Sequence, residues 1–143
     1  MVPFGCMLTI SSRGVYGLTA VVELGRRHGL GTVQIRDIAK AHNIPQHYLE
    51  QILVTLKKAR LVKSHRGAQG GYSLARSPAQ IKVLEVLESV EGELEVVPVR
   101  KRDGVLEFFW TSLDQRLRGI LNVSIEDLIL DMQKVDSLVN YSI

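Results

Sequence analysis

Apolar positions in this chain recur first at helical spacing and later in a short strand-like stretch. Val15, Leu18 and Val22, with Tyr16, Ala20 and Leu24, mark one side of a helix over residues 12–28. Ser11 and Ser12 are suited to cap it. Arg26, Arg27 and His28 suit its negative end, and Gly29 and Gly31 stop it. A second helix is predicted over residues 33–42, capped by Thr32, with Ile35, Ile38 and Ala39 inward. After a tight turn at Asn43-Ile44-Pro45, a third helix is predicted over residues 45–60. Proline fits its first position, where a missing N–H costs nothing. Tyr48, Leu49, Ile52, Leu53 and Leu56 form the inner face.

The period changes at Leu61. Residues 61–65 read as a short strand, residues 66–71 (RGAQGG) as a glycine-rich turn, and residues 72–75 as a returning strand. Ser77-Pro78 interrupts the chain, and a fourth helix is predicted over residues 79–91, ending at Gly92. Residues 92–104 have no period and read as an irregular link. A long amphipathic helix is predicted over 105–122 and a last one over 124–134. Ser124 and Asp127 make a capping box at the start of that last helix.

These elements specify a mostly α fold with a small β-hairpin wing. Residues 7–82 are expected to form a winged helix-turn-helix domain, and residues 83–143 a linker and C-terminal helices. Residues 1–6 read as a leader, expected to be disordered, with the fold starting at Met7. No export signal or membrane-length apolar run is visible, so the expected compartment is the cytoplasm. Cys6 is the only cysteine. It excludes an intrachain disulfide and is read as incidental.

Charge adds a direction. The net charge of +3 hides twelve Lys/Arg against three Asp/Glu in residues 1–82, and six against twelve in residues 83–143. A basic half of +9 beside an acidic half of −6 attracts a polyanion, with nucleic acid the foremost candidate. The exposed face of the third helix carries Gln46, His47, Glu50, Gln51, Val54, Lys57 and Lys58. Its N-terminal part suits a major groove, where Gln pairs with adenine and Glu accepts from cytosine. Lys57 and Lys58 suit phosphates. Arg66, at the hairpin tip, suits a narrow minor groove.

Helix 105–122 carries Leu106, Phe109, Trp110, Leu113, Leu117 and Ile120 along one side. By periodicity alone this stripe serves equally as an intrachain core or a dimer seam.

The strings LTISSRGVYGLTAVVEL, IRDIAKAHNIPQHYLEQIL, LVKSHRGAQGGYSLAR and EVLESVEG resemble the Rrf-two family of winged-helix transcription regulators. The resemblance covers about residues 7–134. It implies a bacterial homodimer reading a pseudo-palindrome in double-stranded DNA, with the C-terminal helices of residues 83–143 serving dimerisation and the long helix crossing to the partner. It also implies that Glu50 contacts bases and Arg66 the minor groove. Many family members hold an iron–sulfur cluster on three cysteines between the fourth and the long helix. Residues 92–104 contain no cysteine or histidine here, and carboxylates suit a soft cluster poorly. No cofactor and no metal are therefore expected. His28, His42, His47 and His65 show no ligand spacing and read as surface or DNA-facing residues.

The link, with Val96, Val97, Pro98 and Val99 before the basic run at residues 100–102, is left as a place for a protein or small-molecule effector. The simpler reading packs the valines beneath the link and leaves the charges in water. An alternative function is a protein-interaction regulator that binds a metabolic enzyme or polymerase subunit. An enzyme is not expected, because no nucleophile set or phosphate-cradling motif is present.

Overall fold

In a computed structural model, residues 9–98 and 101–141 are described. The expected leader, Cys6, Met7, Val99 and Arg100 lie outside the described residues. The element order is α1 (Ser12–Arg26), α2 (Ile35–Ala41), α3 (Gln46–Lys58), β1 (Val62–His65), β2 (Gly71–Leu74), a 3-10 turn (Pro78–Gln80), α4 (Val83–Glu91), α5 (Glu107–Leu121) and α6 (Ile125–Tyr141). The strands pair antiparallel, with Val62 opposite Leu74 and His65 opposite Gly71. This is the expected helical fold with a hairpin wing.

The core lies where α1, α3 and α4 meet. Leu24, Leu49, Ile52, Leu53, Leu56 and Leu87 are almost wholly buried there. Val83, Val86, Leu87, Val90 and Ile125 belong to the same cluster, so packing continues past residue 82. The inner face of α1 differs from the expected one. Val15 is exposed, Leu18 and Val22 are only half-buried, and Gly14, Gly17, Val21 and Gly25 face inward. Hydrophobic periodicity misses a face built on glycine. At Gly25 a Cβ would meet Ile125 and Ile129 at 3.0 Å, so glycine lets α6 approach the backbone of α1 closely.

Four local expectations are corrected. Ser11 is the N-cap of α1, but its hydroxyl does not cap the helix and instead donates to the Glu91 carboxylate. Glu91 also accepts the Gly14 N–H at 2.9 Å, so an acid from α4 closes α1 at the end where the helix dipole favours negative charge. Thr32 does not cap α2, which starts after Gln34. Its hydroxyl donates to the Gln69 carbonyl at 2.7 Å, while Val33 and Tyr72 exchange two backbone hydrogen bonds of 2.8 Å. Pro45 is the N-cap of α3 rather than its first residue. The fourth helix is split: after the 3-10 turn, Ile81 and Lys82 run extended. There the Ile125 N–H donates to the Ile81 carbonyl at 2.9 Å, and Lys82 pairs with Ser124.

The Ser124–Asp127 capping box forms as expected: Asp127 accepts the Ser124 N–H at 2.9 Å and Ser124 Oγ accepts the Asp127 N–H at 3.0 Å. These bonds hold the Asp127 carboxyl below the usual carboxylate range. α6 then runs seven residues past the expected end at 134, to Tyr141.

Candidate nucleic-acid interface

α2 and α3 are joined by a turn that the sequence builds with little freedom. Asn43 takes a left-handed conformation (φ 51°), which asparagine tolerates better than most residues. The Ile44 N–H then donates to the Ala39 carbonyl at 2.9 Å, a Schellman closure with Ile44 and Ala39 both buried. α3 ends the same way. Arg60 has φ 62°, and the Leu61 N–H donates to the Leu56 carbonyl at 3.0 Å. Both ends of α3 are thus set by backbone geometry. Its inner residues Leu49, Ile52, Leu53 and Leu56 lock its rotation.

That rotation leaves Gln46, His47, Glu50, Gln51, Lys57 and Lys58 exposed. His47 lies between two of them, 3.4 Å from Gln51 Nε2 and 3.9 Å from Glu50. These four polar residues of the first two turns form one continuous face with hydrogen-bonding atoms open to solvent. Lys57 Nζ donates to Ser64 Oγ at 2.6 Å, linking α3 to the first wing strand. Arg66, at the wing tip, is exposed and forms no hydrogen bond or ion pair among the described residues.

The wing is held from behind by the Val33–Tyr72 pairing, which acts as a short third strand. Gly71 makes it possible: at φ 146°, a Cβ there would lie 2.6 Å from the Val33 carbonyl oxygen. Sequence reading missed this pin, and also Arg13. The Arg13 guanidinium donates to Thr55 Oγ1 at 2.8 Å and ties α1 to α3. His42 and His65 are engaged within the fold. His42 lies 3.3 Å from the buried Glu23 carboxylate, and His65 lies 2.8 Å from Ser73 Oγ.

On the arm, the expected stripe divides. Leu106, Phe109 and Ile120 are exposed, while Trp110, Leu113 and Leu117 are half-buried. Leu113 and Leu117 line a cleft of about 290 Å³ with Ile10, Leu94 and Val96. Phe109 and Trp110 meet edge to face, with centroids 5.0 Å apart. Asp114 is the one buried residue of α5, so the helix is not a core helix of this chain. Further apolar side chains outside the expected set are also exposed: Val105 just before α5, Phe108 on it, and Met132, Val135 and Val139 on α6. Their three- and four-residue steps continue beyond the capping box, which was the available signal.

The charges of the link do not all stay in water. Arg102 is largely buried, lies 3.4 Å from Asp114 Oδ1 and donates to the Val97 carbonyl at 2.7 Å. Arg118 donates to Asp114 Oδ2 at 3.1 Å and to the Leu94 carbonyl at 2.7 Å. Its pKa is raised, first by the hydrogen bond to Asp114 and then by nearby Glu88. The backbone of the link is therefore held by two guanidinium groups. These cations and the surrounding carboxylates are no donor set for an iron–sulfur cluster. Among the described residues, no helix is long and apolar enough to cross a membrane.

Comparison with known proteins gives a consistent picture. Residues 10–131 match the Rrf2 family profile, described as "Iron-dependent Transcriptional regulator". The HTH-type transcriptional regulator CymR of Bacillus subtilis (strain 168) is 36% identical over 123 residues, covering 85% of this chain and 89% of its own. The solved structure of CymR, titled the global cysteine regulator of B. subtilis, superposes with a TM-score of 0.79 at 37% identity. That match covers 86% of this chain and 97% of the other. The structure of T. potens IscR gives a TM-score of 0.77 at 35% identity, with 90% of each chain covered.

Proposed function

The chain belongs to the Rrf2 family of transcriptional regulators, and from that premise we propose that it is a homodimeric, sequence-specific DNA-binding regulator acting on a pseudo-palindromic operator without an iron–sulfur cluster. The observation that carries this reading is the polar face at the start of α3, exposed beside a basic wing tip that is pinned from behind. In this reading Gln46, His47, Glu50 and Gln51 meet base edges in the major groove. Lys57 and Lys58 contact phosphates, and Arg66 enters the adjacent minor groove. The exposed apolar residues of α5 and α6 meet a second copy, which places two reading heads about 34 Å apart, one turn of DNA. The protein works in the cytoplasm, as an enzyme-free binder of the bacterial chromosome.

Cluster independence is supported by the sequence of residues 92–104, which has no cysteine or histidine, and by Arg102 and Arg118, whose guanidinium groups bind the carbonyls of that link. The test is selection of bound fragments from a sheared genome by purified protein, with an absorption spectrum of the same anaerobic preparation. Enrichment of a two-fold-symmetric sequence by colourless protein is expected. No enriched sequence, or the charge-transfer bands of a cluster together with binding lost on its removal, overturns the reading.

A further inference from the structure

The foot of the arm is tied to the head by backbone hydrogen bonds, and its shaft only by side chains. At the α5–α6 junction, the Val83 N–H donates to the Val123 carbonyl at 2.8 Å, the Ile125 N–H donates to Ile81, and Ile125 is fully buried. Above that point α5 packs only sparsely on α4. One side chain crosses the gap to several segments at once. Arg118 meets Asp114 on its own helix, the Leu94 carbonyl on the link, and Glu88 on α4 at 3.4 Å, with Glu93 at 4.0 Å. Asp114, its partner on the same helix, is buried and is also faced by Arg102 from the far end of the link.

We propose that Arg118 is a positioning residue that sets the angle between the dimerisation arm and the reading head, and so determines which half-site spacing the dimer accepts. This rests on the dimeric DNA-binding reading above. The leverage is geometric. The fifteen residues of α5 span about 22 Å at 1.5 Å per residue. A pivot of about 10° at the foot therefore moves the far end by about 4 Å, close to the ~3.4 Å step of one base pair along the duplex. One inserted base pair also turns a half-site by about 35°. Shared between two protomers, that needs under about 20° from each arm. With Arg118 in place, the carboxylates of the arm and head and the carbonyl of the link meet on one rigid, planar guanidinium, which resists both tilt and twist. Without it the shaft keeps the Arg102–Asp114 pair and the packing of Leu113 and Leu117 but loses its tie to α4, so it pivots more freely on its foot, while the reading face of α3, held by its own core, is untouched.

The experiment measures binding of wild type, Arg118→Met and Glu88→Gln to the selected operator, to versions with one base pair added or removed at the centre, and to an isolated half-site. Wild type is expected to lose about 100-fold or more at the altered spacings, because a mismatched span forfeits bivalent engagement. Arg118→Met is expected to remain dimeric, to bind the half-site as wild type does, and to lose under about tenfold at the altered spacings. Glu88→Gln removes only the head-side end of the clamp at a half-exposed position. It is expected to relax spacing in the same direction by a smaller factor, and it carries the test if Arg118→Met does not fold. Variants that keep the wild-type spacing preference overturn the role of Arg118 and leave the dimeric reading standing. A wild type that selects no paired half-sites overturns both.

Discussion

The head and the arm of this protein are built on opposite principles. In the head, helices bury their apolar side chains against one another. Among the described residues, all twenty buried apolar side chains except Ile125 lie between Ala20 and Val90. In the arm, comparable side chains face outward. Phe108 is 73% exposed, Leu138 69% and Ile120 70%. Isolated exposed leucines are ordinary, but a run of them along two successive helices is a surface suited to the second copy of the proposed dimer. The core of the head is thus closed within one chain, with Ile125 at the foot of the arm as part of it. In the proposed dimer the arm hides what it presents against a second copy, so its stability should depend on protein concentration where that of the head should not.

This contrast fixes the expected order of effects. Leu53→Ala, beneath the reading face, should cost about 2–5 kcal/mol of unfolding free energy, because the buried methyls leave a cavity. Denaturant melts should show the same loss at every protein concentration. Trp110→Ala should leave the melt of a dilute monomer almost unchanged and weaken dimerisation by about 2 kcal/mol, roughly 30-fold in Kd, measured by sedimentation. A variant that stays dimeric at the concentrations where wild type dissociates would remove Trp110 from the seam. Arg66→Ala should cost about 1–2 kcal/mol of operator affinity, and Lys58→Ala should lower the slope of log K against log salt by about one. Unchanged affinity and slope would mean that the assigned face does not meet DNA.

The smallest effect concerns acid. Asp127 has a depressed pKa in the fold, so its stabilising contribution is present above the carboxylate pKa of the unfolded chain. It is lost as pH falls through the lower folded value. Asp127→Asn should flatten the stability–pH curve below about pH 4 and leave neutral-pH DNA binding unchanged. Melts of both proteins across pH 2–6 would test the sign.

The head was the more legible region, and for a physical reason. Leu49, Ile52, Leu53 and Leu56 repeat because one buried face needs them, and Asn43-Ile44-Pro45 ends one helix and starts the next through local backbone preference. The exposed side chains of α3 follow from that rotation. What escaped was long-range. Thr32 and Val33 carry no local sign that they will pair with the wing 37 to 39 residues away. Glu91 closes a helix 80 residues earlier, and Arg102 finds Asp114 across a link without period. The glycine face of α1 escaped because close approach leaves no apolar residue to count. In the arm the residues of α5 were readable and their destination was not. An outward stripe and an inward one have the same spacing, and only the depth of Asp114 against the exposure of Ile120 separates them.

The central claim is that two identical heads, yoked by this arm, grip one duplex. Hydroxyl-radical footprinting of the protein on its selected site tests it most directly. The account expects two equal protected patches on one side of the duplex, related by a two-fold axis and centred about ten base pairs apart. Both should fade together as Trp110→Ala replaces wild type at limiting concentration. A single patch, or two that vanish independently, would contradict it.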